Sequence, residues 1–123
     1  MEKRQYGIVL VGCGHIGQSH IEEIYYRDEV RIVGVVDIAE ENARLFARKY
    51  GAESWGTDYR PYLERDDVDI VIIATYADSH LPILRACLAA GKHVLCEKPM
   101  TECNEEDAAA FYKLARNSSS KVL

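Results

Sequence analysis

The chain has 123 residues, which is the size of one ordinary domain. Hydrophobic residues make up 48% and charged residues 28%, with 8 Gly and 3 Pro, so collagenous, low-complexity and disordered classes are excluded. Fifteen Lys and Arg against 20 Asp and Glu leave a net charge of -5, which argues against general binding to nucleic acid.

The remaining bulk features predict a cytoplasmic protein. No apolar run approaches the length of a membrane span, about 20 residues, so no membrane partner is expected. The first residues, MEKRQYG, contain no apolar segment of a secretory signal. The four cysteines form no CxxC pair and have no His partner at zinc spacing, so we expect reduced thiols and no metal site: Cys13, Cys87, Cys96 and Cys103.

The predicted elements alternate strand and helix from the start of the chain. Residues 6–11 form a continuous apolar run that ends in glycines, as in a strand covered on both faces. A helix is predicted at 16–26 and a second buried strand at 31–37. The next helix, at 39–50, has apolar residues at helical spacing, and Gly51 stands where a left-handed cap is needed.

The alternation continues through the second half of the chain. A short third strand is predicted at 53–55, and a short helical turn at 58–64. Residues 68–75, VDIVIIAT, are the clearest strand in the sequence. A helix follows at 79–90, and a fifth strand, KHVLC, occupies 92–96.

The last residues carry one more helix and the start of a strand. The helix is predicted at 104–117 with Asn104 as its N-cap, and residues 121–123 begin a sixth strand. Strands that alternate with helices of about a dozen residues imply right-handed crossovers and a mostly parallel sheet. We therefore predict an α/β doubly wound Rossmann fold over residues 1–123, of strand order 3-2-1-4-5 with a truncated sixth strand. Because the last strand breaks off, we expect the chain to be the front part of a longer protein.

A glycine-rich loop directly follows the first strand. Its sequence, GCGHIG, fits the pattern G-x-G-x-x-G at the start of the first helix. The first glycine permits the tight turn, the second lets a pyrophosphate approach the backbone, and the third lets the helix sit close to the sheet. The helix N-terminus then presents free N–H groups to the phosphates. The predicted phosphate-binding residues are Gly12, Cys13, Gly14, His15, Ile16 and Gly17.

An acidic residue completes the pattern. Asp37 ends the second strand twenty positions after Gly17, where a carboxylate can accept hydrogen bonds from an adenosine ribose. Taken singly, the glycines fit a tight turn and Asp37 fits a strand-end turn. Because the glycines and Asp37 stand at the expected positions relative to the strand, the loop and the helix, together they predict dinucleotide binding. Ile38, the residue after the acid, is included in the predicted site.

The residues around the acid also bear on the choice of cofactor. Asp37 would repel a 2′-phosphate, and residues 38–41 supply no arginine to receive one. Arg44 is expected a further two turns into the helix and solvated. The sequence therefore favours NAD over NADP as the cofactor.

Two other classes of protein fit part of this pattern. S-adenosylmethionine-dependent methyltransferases also follow the first strand with a glycine-rich loop and end the second with an acid that holds a ribose. The third glycine, Gly17, argues against that class. A free-standing nucleotide-binding or redox-sensing module that acts through a partner is the second alternative.

A further motif, CEKPM at residues 96–100, follows the fifth strand. A Lys-Pro step at the carboxyl end of a parallel strand lies on the edge where doubly wound sheets bind ligands. Pro99 biases Lys98 away from helical geometry, at the mouth of the cleft. Lys98 could bond to the nicotinamide ribose or to a substrate hydroxyl, or it could be a surface lysine, and spacing alone leaves both open.

Taken together, these residues resemble the N-terminal domain of the Gfo/Idh/MocA oxidoreductases, the family of glucose–fructose oxidoreductase and inositol 2-dehydrogenase. The resemblance rests on the loop at 12–17, Asp37, the strand end at 74–75 with His80 five residues later, and the run HVLCEKPM at 93–100. The Glu-Lys-Pro step is the more specific part, since the glycine loop is common to many Rossmann proteins.

The resemblance implies an NAD(P)-dependent dehydrogenase that acts on a sugar, cyclitol or related polyol. It implies that Lys98 contacts substrate and nicotinamide and assists proton transfer. Where the family often has Pro-Asn after the threonine, this chain has Tyr76-Ala77, and His80 could equally be packed in the first helical turn. The residues that the resemblance adds to the cofactor site are Thr75, Tyr76, His80, Glu97 and Lys98.

The family also carries a second, mostly antiparallel α+β domain that forms the substrate pocket and supplies an acid–base histidine. That domain does not fit in 123 residues. His15 and His20 are expected to be structural rather than catalytic, and Lys98 alone would be a poor base. We therefore expect a chain that binds cofactor without full activity, that meets its polyol or sugar substrate through the missing domain, and that tends to form a homodimer.

Overall fold

The computed structural model describes residues 5–75 and 77–96, of which 77–80 and 96 are described by their backbone alone. The predicted helix at 104–117 and the sixth strand lie outside the described residues. Strands and helices alternate through the described part of the chain: β1 (Tyr6–Val11), α1 (His15–Ile24), β2 (Val30–Val36), α2 (Glu40–Tyr50), β3 (Trp55–Gly56), α3 (Arg60–Leu63), β4 (Ile70–Ile73), α4 (Ala77–Ala89) and β5 (His93–Cys96).

The five strands form one parallel sheet of order β3-β2-β1-β4-β5, which confirms the predicted order. Val9 of β1 pairs with Val71 of β4, which in turn pairs with Val94 of β5. On its other side Val9 pairs with Gly34 of β2, after a register shift that follows Ile8. Because all neighbours are parallel, the carboxyl ends of the strands meet at one edge, where doubly wound sheets bind ligands.

Alternate residues of each strand face opposite layers, as a strand buried on both faces requires. Val9 and Val11 of β1 belong to the core shared with α3 and α4. Ile8 and Leu10 belong to the core shared with α1 and α2. The sheet is therefore covered by helices on both sides, and its apolar strands form the middle of three layers.

The ends of several elements differ from the prediction because pairing decides where a strand stops. β3 is limited to Trp55–Gly56 rather than 53–55, since only Val35 and Val36 of β2 pair with it. β4 is Ile70–Ile73 rather than 68–75, matching the four residues of β1 that lie beside it. The predicted left-handed cap at Gly51 is confirmed, with φ of 71°.

Two kinds of feature are absent from the described residues. None of the helices there has the length and hydropathy that a bilayer crossing requires. The same residues bring no three His, Cys, Asp or Glu side chains together in a way that would hold a metal ion. Cys13 and Cys87 are both buried.

Candidate dinucleotide-binding site

The turn between β1 and α1 packs closely against Ala74 and Thr75, the two residues that follow β4. Gly12 has a φ of 105°, a conformation that side-chain-bearing residues rarely adopt. Its N–H donates to the carbonyl oxygen of Val36 at 2.7 Å. A Cβ on Gly12 would lie 2.5 Å from the carbonyl oxygen of Ala74 and 3.0 Å from the nitrogen of Thr75. Only glycine fits there, and Thr75 consequently adjoins the loop.

The other two glycines differ sharply in their surroundings. A Cβ on Gly17 would lie 2.1 Å from the carbonyl oxygen of Gly12, so the first turn of α1 packs directly on the preceding turn. A Cβ on Gly14 would meet nothing within 4 Å. Gly17 therefore has a packing role, whereas Gly14 opens onto free space in front of the loop.

The N-terminus of α1 is not capped by a side chain. Gly14 is the N-cap residue, and the first turn contains no acidic residue. The first N–H groups of a helix have no partner within the helix, and aligned peptide dipoles place partial positive charge there. His15 and Ile16 are exposed beside these groups. This end of the helix can therefore accept an anion without displacing a side-chain cap.

Asp37 lies against the same loop. Its Oδ2 accepts a hydrogen bond from the main-chain N–H of Cys13 at 2.8 Å, and its Oδ1 accepts one from the N–H of Ala39 at 2.8 Å. A carboxylate has about four acceptor positions, so capacity remains for ribose hydroxyls. Sequence reasoning placed Asp37 near the ribose but missed both main-chain partners. The spacing to Ala39 is that of an Asx turn and was readable from the sequence.

Cys13 fills the space beneath the loop. Its side chain is 4% exposed, and its Sγ donates to the carbonyl oxygen of Val36 at 3.6 Å. Burial, with a smaller contribution from the negative charge of Asp37, raises the pKa of the thiol to about 12. The thiol is therefore protonated and inert at neutral pH, and Cys13 supports the loop by packing.

The residue that follows the acid is apolar and exposed. Ile38, directly after Asp37, is 93% exposed. Arg44 is the fifth residue of α2, so it lies about one turn into the helix, not two further turns as predicted. Its guanidinium pairs with the carboxylate of Glu41, a contact that the sequence reasoning also missed although the spacing of three residues could have suggested it.

Several predicted residues cannot be placed in this site. Tyr76, Glu97 and Lys98 lie outside the described residues. The backbone of His80 belongs to the first turn of α4, which follows Thr75 and the carboxyl end of β4. The parts of the site that the structure brings together are the glycine loop, Asp37 with Ile38, and Thr75. The roles assigned to Tyr76, His80, Glu97 and Lys98 stay predictions.

A parallel sheet of this order, with a glycine turn at the central crossover, defines a Rossmann domain. The family model of the Gfo/Idh/MocA oxidoreductases, described as "Oxidoreductase family, NAD-binding Rossmann fold", matches residues 6–123. The chain therefore belongs to the Gfo/Idh/MocA oxidoreductase family, and its domain is of the NAD-binding kind. This membership confirms the predicted resemblance and sets the methyltransferase alternative aside.

Two relatives illustrate the similarity in sequence. A 4-carboxy-2-hydroxymuconate-6-semialdehyde dehydrogenase from Sphingobium is 39% identical over 111 residues, which cover 90% of this chain and 35% of that protein. A myo-inositol 2-dehydrogenase from Thermotoga maritima is 32% identical over 76% of this chain and 28% of its own length. The chain thus spans about a third of the length of the relatives that it matches.

Two solved structures illustrate the similarity in fold. A levoglucosan dehydrogenase in complex with NADH is 26% identical, with a TM-score of 0.84 over 97% of this chain and 34% of that one. A 3-ketoreductase from Actinomadura kijaniata, in complex with TDP-benzene and NADP, is 26% identical, with a TM-score of 0.84 over 98% of this chain and 38% of that one. Of these two similar structures, one therefore holds NADH and the other NADP.

Proposed function

We propose that this chain is the NAD-binding part of a dehydrogenase that moves hydride between a sugar- or polyol-type hydroxyl and nicotinamide. The observation that supports the proposal is the contact between Asp37 and the main chain of Cys13, because it holds the proposed ribose acceptor beside the glycine loop. The myo-inositol 2-dehydrogenase among the relatives supports the substrate class.

The described residues fit the shape and charge of a dinucleotide. The open space in front of Gly14 would admit the pyrophosphate, whose charge the uncapped N-terminus of α1 would stabilise. Asp37 would accept hydrogen bonds from the adenosine ribose with its free acceptor positions. Ile38 offers apolar surface beside that ribose, where adenine would be shielded from water.

The bound cofactor would supply the hydride acceptor, and the protein would supply orientation. Lys98, which follows the last residue of β5 by two positions in the sequence, would bond to the reacting hydroxyl. Removal of the hydroxyl proton needs a base and a site that excludes water. We assign both to the part of the enzyme that corresponds to the remaining two thirds of the relatives.

We favour NAD over NADP for this chain on electrostatic grounds. The carboxylate of Asp37 would meet the 2′-phosphate of NADP at short range, and two like charges there would repel. Residues 38–41 offer no cation that would compensate. The neutral 2′-hydroxyl of NAD would instead donate a hydrogen bond to the same carboxylate.

Calorimetric titration of the 123-residue chain with NAD, NADP and S-adenosylmethionine tests the assignment. We expect weak NAD binding, at least tenfold weaker NADP binding, and no turnover of myo-inositol or hexoses in the presence of NAD. Tighter binding of S-adenosylmethionine than of NAD would overturn the cofactor assignment. Steady NADH production by the chain alone would overturn the assignment of the base to another domain.

A further inference from the structure

The first turns of α2, the helix that follows the proposed ribose acceptor in the chain, hold a charge pair. Arg44 Nε donates to Glu41 Oε2 at 3.1 Å, and a second guanidinium nitrogen contacts Oε1 of the same carboxylate. Helical side chains lean towards the N-terminus of their helix. The pairing with Glu41, three residues earlier, shows that the Arg44 side chain reaches back towards the start of α2, which begins three residues after Asp37.

The charges in this stretch are unequal. Between positions 37 and 44 the sequence contains three carboxylates, on Asp37, Glu40 and Glu41, and one cation, on Arg44. An arginine near the end of the second strand is the usual partner of a 2′-phosphate in Rossmann domains. Between positions 37 and 44 the only arginine is Arg44, and its guanidinium is already paired with the carboxylate of Glu41. This pairing lowers the pKa of the Glu41 carboxyl.

The pair does not hold the fold together. Both side chains are largely open to water, at 41% exposed for Arg44 and 66% for Glu41, and exposed pairs contribute little to stability. The buried residues of α2 lie on its other face: Ala43, Ala47 and Tyr50. Asp37 is held separately by two main-chain N–H groups, so it stays in place whatever occupies position 41.

We propose that Glu41 is a second specificity-determining residue for the dinucleotide, since its pairing with Arg44 withholds that guanidinium from a 2′-phosphate at the ribose site. Discrimination against NADP is then shared, with Asp37 repelling the phosphate and Glu41 neutralising the cation that would attract it. This inference rests on the proposed function of the chain as a dinucleotide-binding domain.

Titration of four variants with NAD and NADP tests the role of Glu41. Glu41→Gln should tighten NADP binding about fivefold and leave NAD binding within twofold. Adding Arg44→Ala to Glu41→Gln should remove that gain, because the released guanidinium is what binds the phosphate. Arg44→Ala alone should change NADP binding less than twofold. Glu40→Gln, the matched control, removes the same charge one residue away and should give less than a twofold gain.

The outcomes separate the inference from the function on which it rests. If the wild-type chain binds NAD but Glu41→Gln gains less than twofold for NADP, the inference is wrong and the proposed function stands. Equal gains for Glu40→Gln and Glu41→Gln would also overturn it, since net charge alone would explain them. If the wild-type chain binds neither cofactor, the proposed function fails and the inference with it. Circular dichroism of each variant checks that it is folded.

Discussion

The carboxylate of Asp37 accepts a hydrogen bond from the main-chain N–H of Cys13 at 2.8 Å. This bond connects the residue after β2 to the turn after β1. These residues are 24 positions apart in the chain, and the contact exists because β1 and β2 are parallel neighbours. One acid therefore both shapes the loop and offers the remaining acceptor positions to a ribose. Substitution of this residue should affect stability and cofactor binding together.

We expect Asp37→Ala to lower the free energy of unfolding by about 1–3 kcal/mol, because the N–H groups of Cys13 and Ala39 lose their acceptor. Asp37→Asn keeps one acceptor oxygen and should fall between Ala and the wild type. Urea denaturation measures the stabilities, and calorimetry should show NAD binding weakened at least tenfold in both. An Asp37→Ala chain as stable as the wild type would contradict the bridging role.

The contrast between Gly14 and Gly17 separates binding from folding. Gly17→Ala should destabilise the chain by about 2–3 kcal/mol, since its Cβ would lie 2.1 Å from the carbonyl oxygen of Gly12. Gly14→Ala should change stability by less than about 1 kcal/mol, because its Cβ meets no neighbour, yet weaken NAD binding at least tenfold. Thermal unfolding measures the stability of the two variants, and calorimetry measures their binding of NAD. Unchanged NAD binding by Gly14→Ala would place the pyrophosphate elsewhere.

The thiol of Cys13 predicts a loss of stability at high pH. Its pKa is raised from 9.0 to about 12, mainly by burial, so above pH 9 the unfolded chain releases a proton that the folded chain keeps. The stabilising contribution is complete below pH 9 and declines through pH 12, by up to about 1.4 kcal/mol per pH unit. Urea denaturation from pH 8 to 11 measures this slope. Cys13→Ala, in which the other titrating groups remain, should show a shallower decline, and an equal slope would refute the prediction.

The hydroxyl of Tyr50 is buried without a hydrogen-bond partner among the described residues. Its ring packs edge-on against Phe46 and Tyr25, with centroids 5.3 and 5.2 Å away. We expect Tyr50→Phe to raise the free energy of unfolding by about 1 kcal/mol, because it removes an unsatisfied polar atom and keeps the ring. Tyr25→Phe, at a half-exposed position, is the control and should be neutral. A loss of stability in Tyr50→Phe would reveal a hidden partner of the hydroxyl.

Much of the fold was predictable because its signals are local. Apolar runs identified the strands, helical spacing identified α2, and Gly51 marked the end of that helix. Strand ends were predicted less well, because a residue such as Asp69 counts as part of a strand only if a neighbouring strand pairs with it. The spacing of the glycine loop and the acid at position 37 located the candidate site. They did not reveal the hydrogen bond between the main chain of Cys13 and the carboxylate of Asp37.

The sequence by itself determined the class of fold, the family and the position of the glycine loop, since these follow from periodicity and short motifs within one or two elements. Only the tertiary structure decided that Asp37 accepts a hydrogen bond from the amide of Cys13. It also decided that Gly34 makes room for Tyr62, whose ring a Cβ at position 34 would meet at 2.3 Å. The physical reason is distance along the chain. Periodicity and capping act within a few residues, whereas contacts between strands depend on which strands become neighbours and on their register.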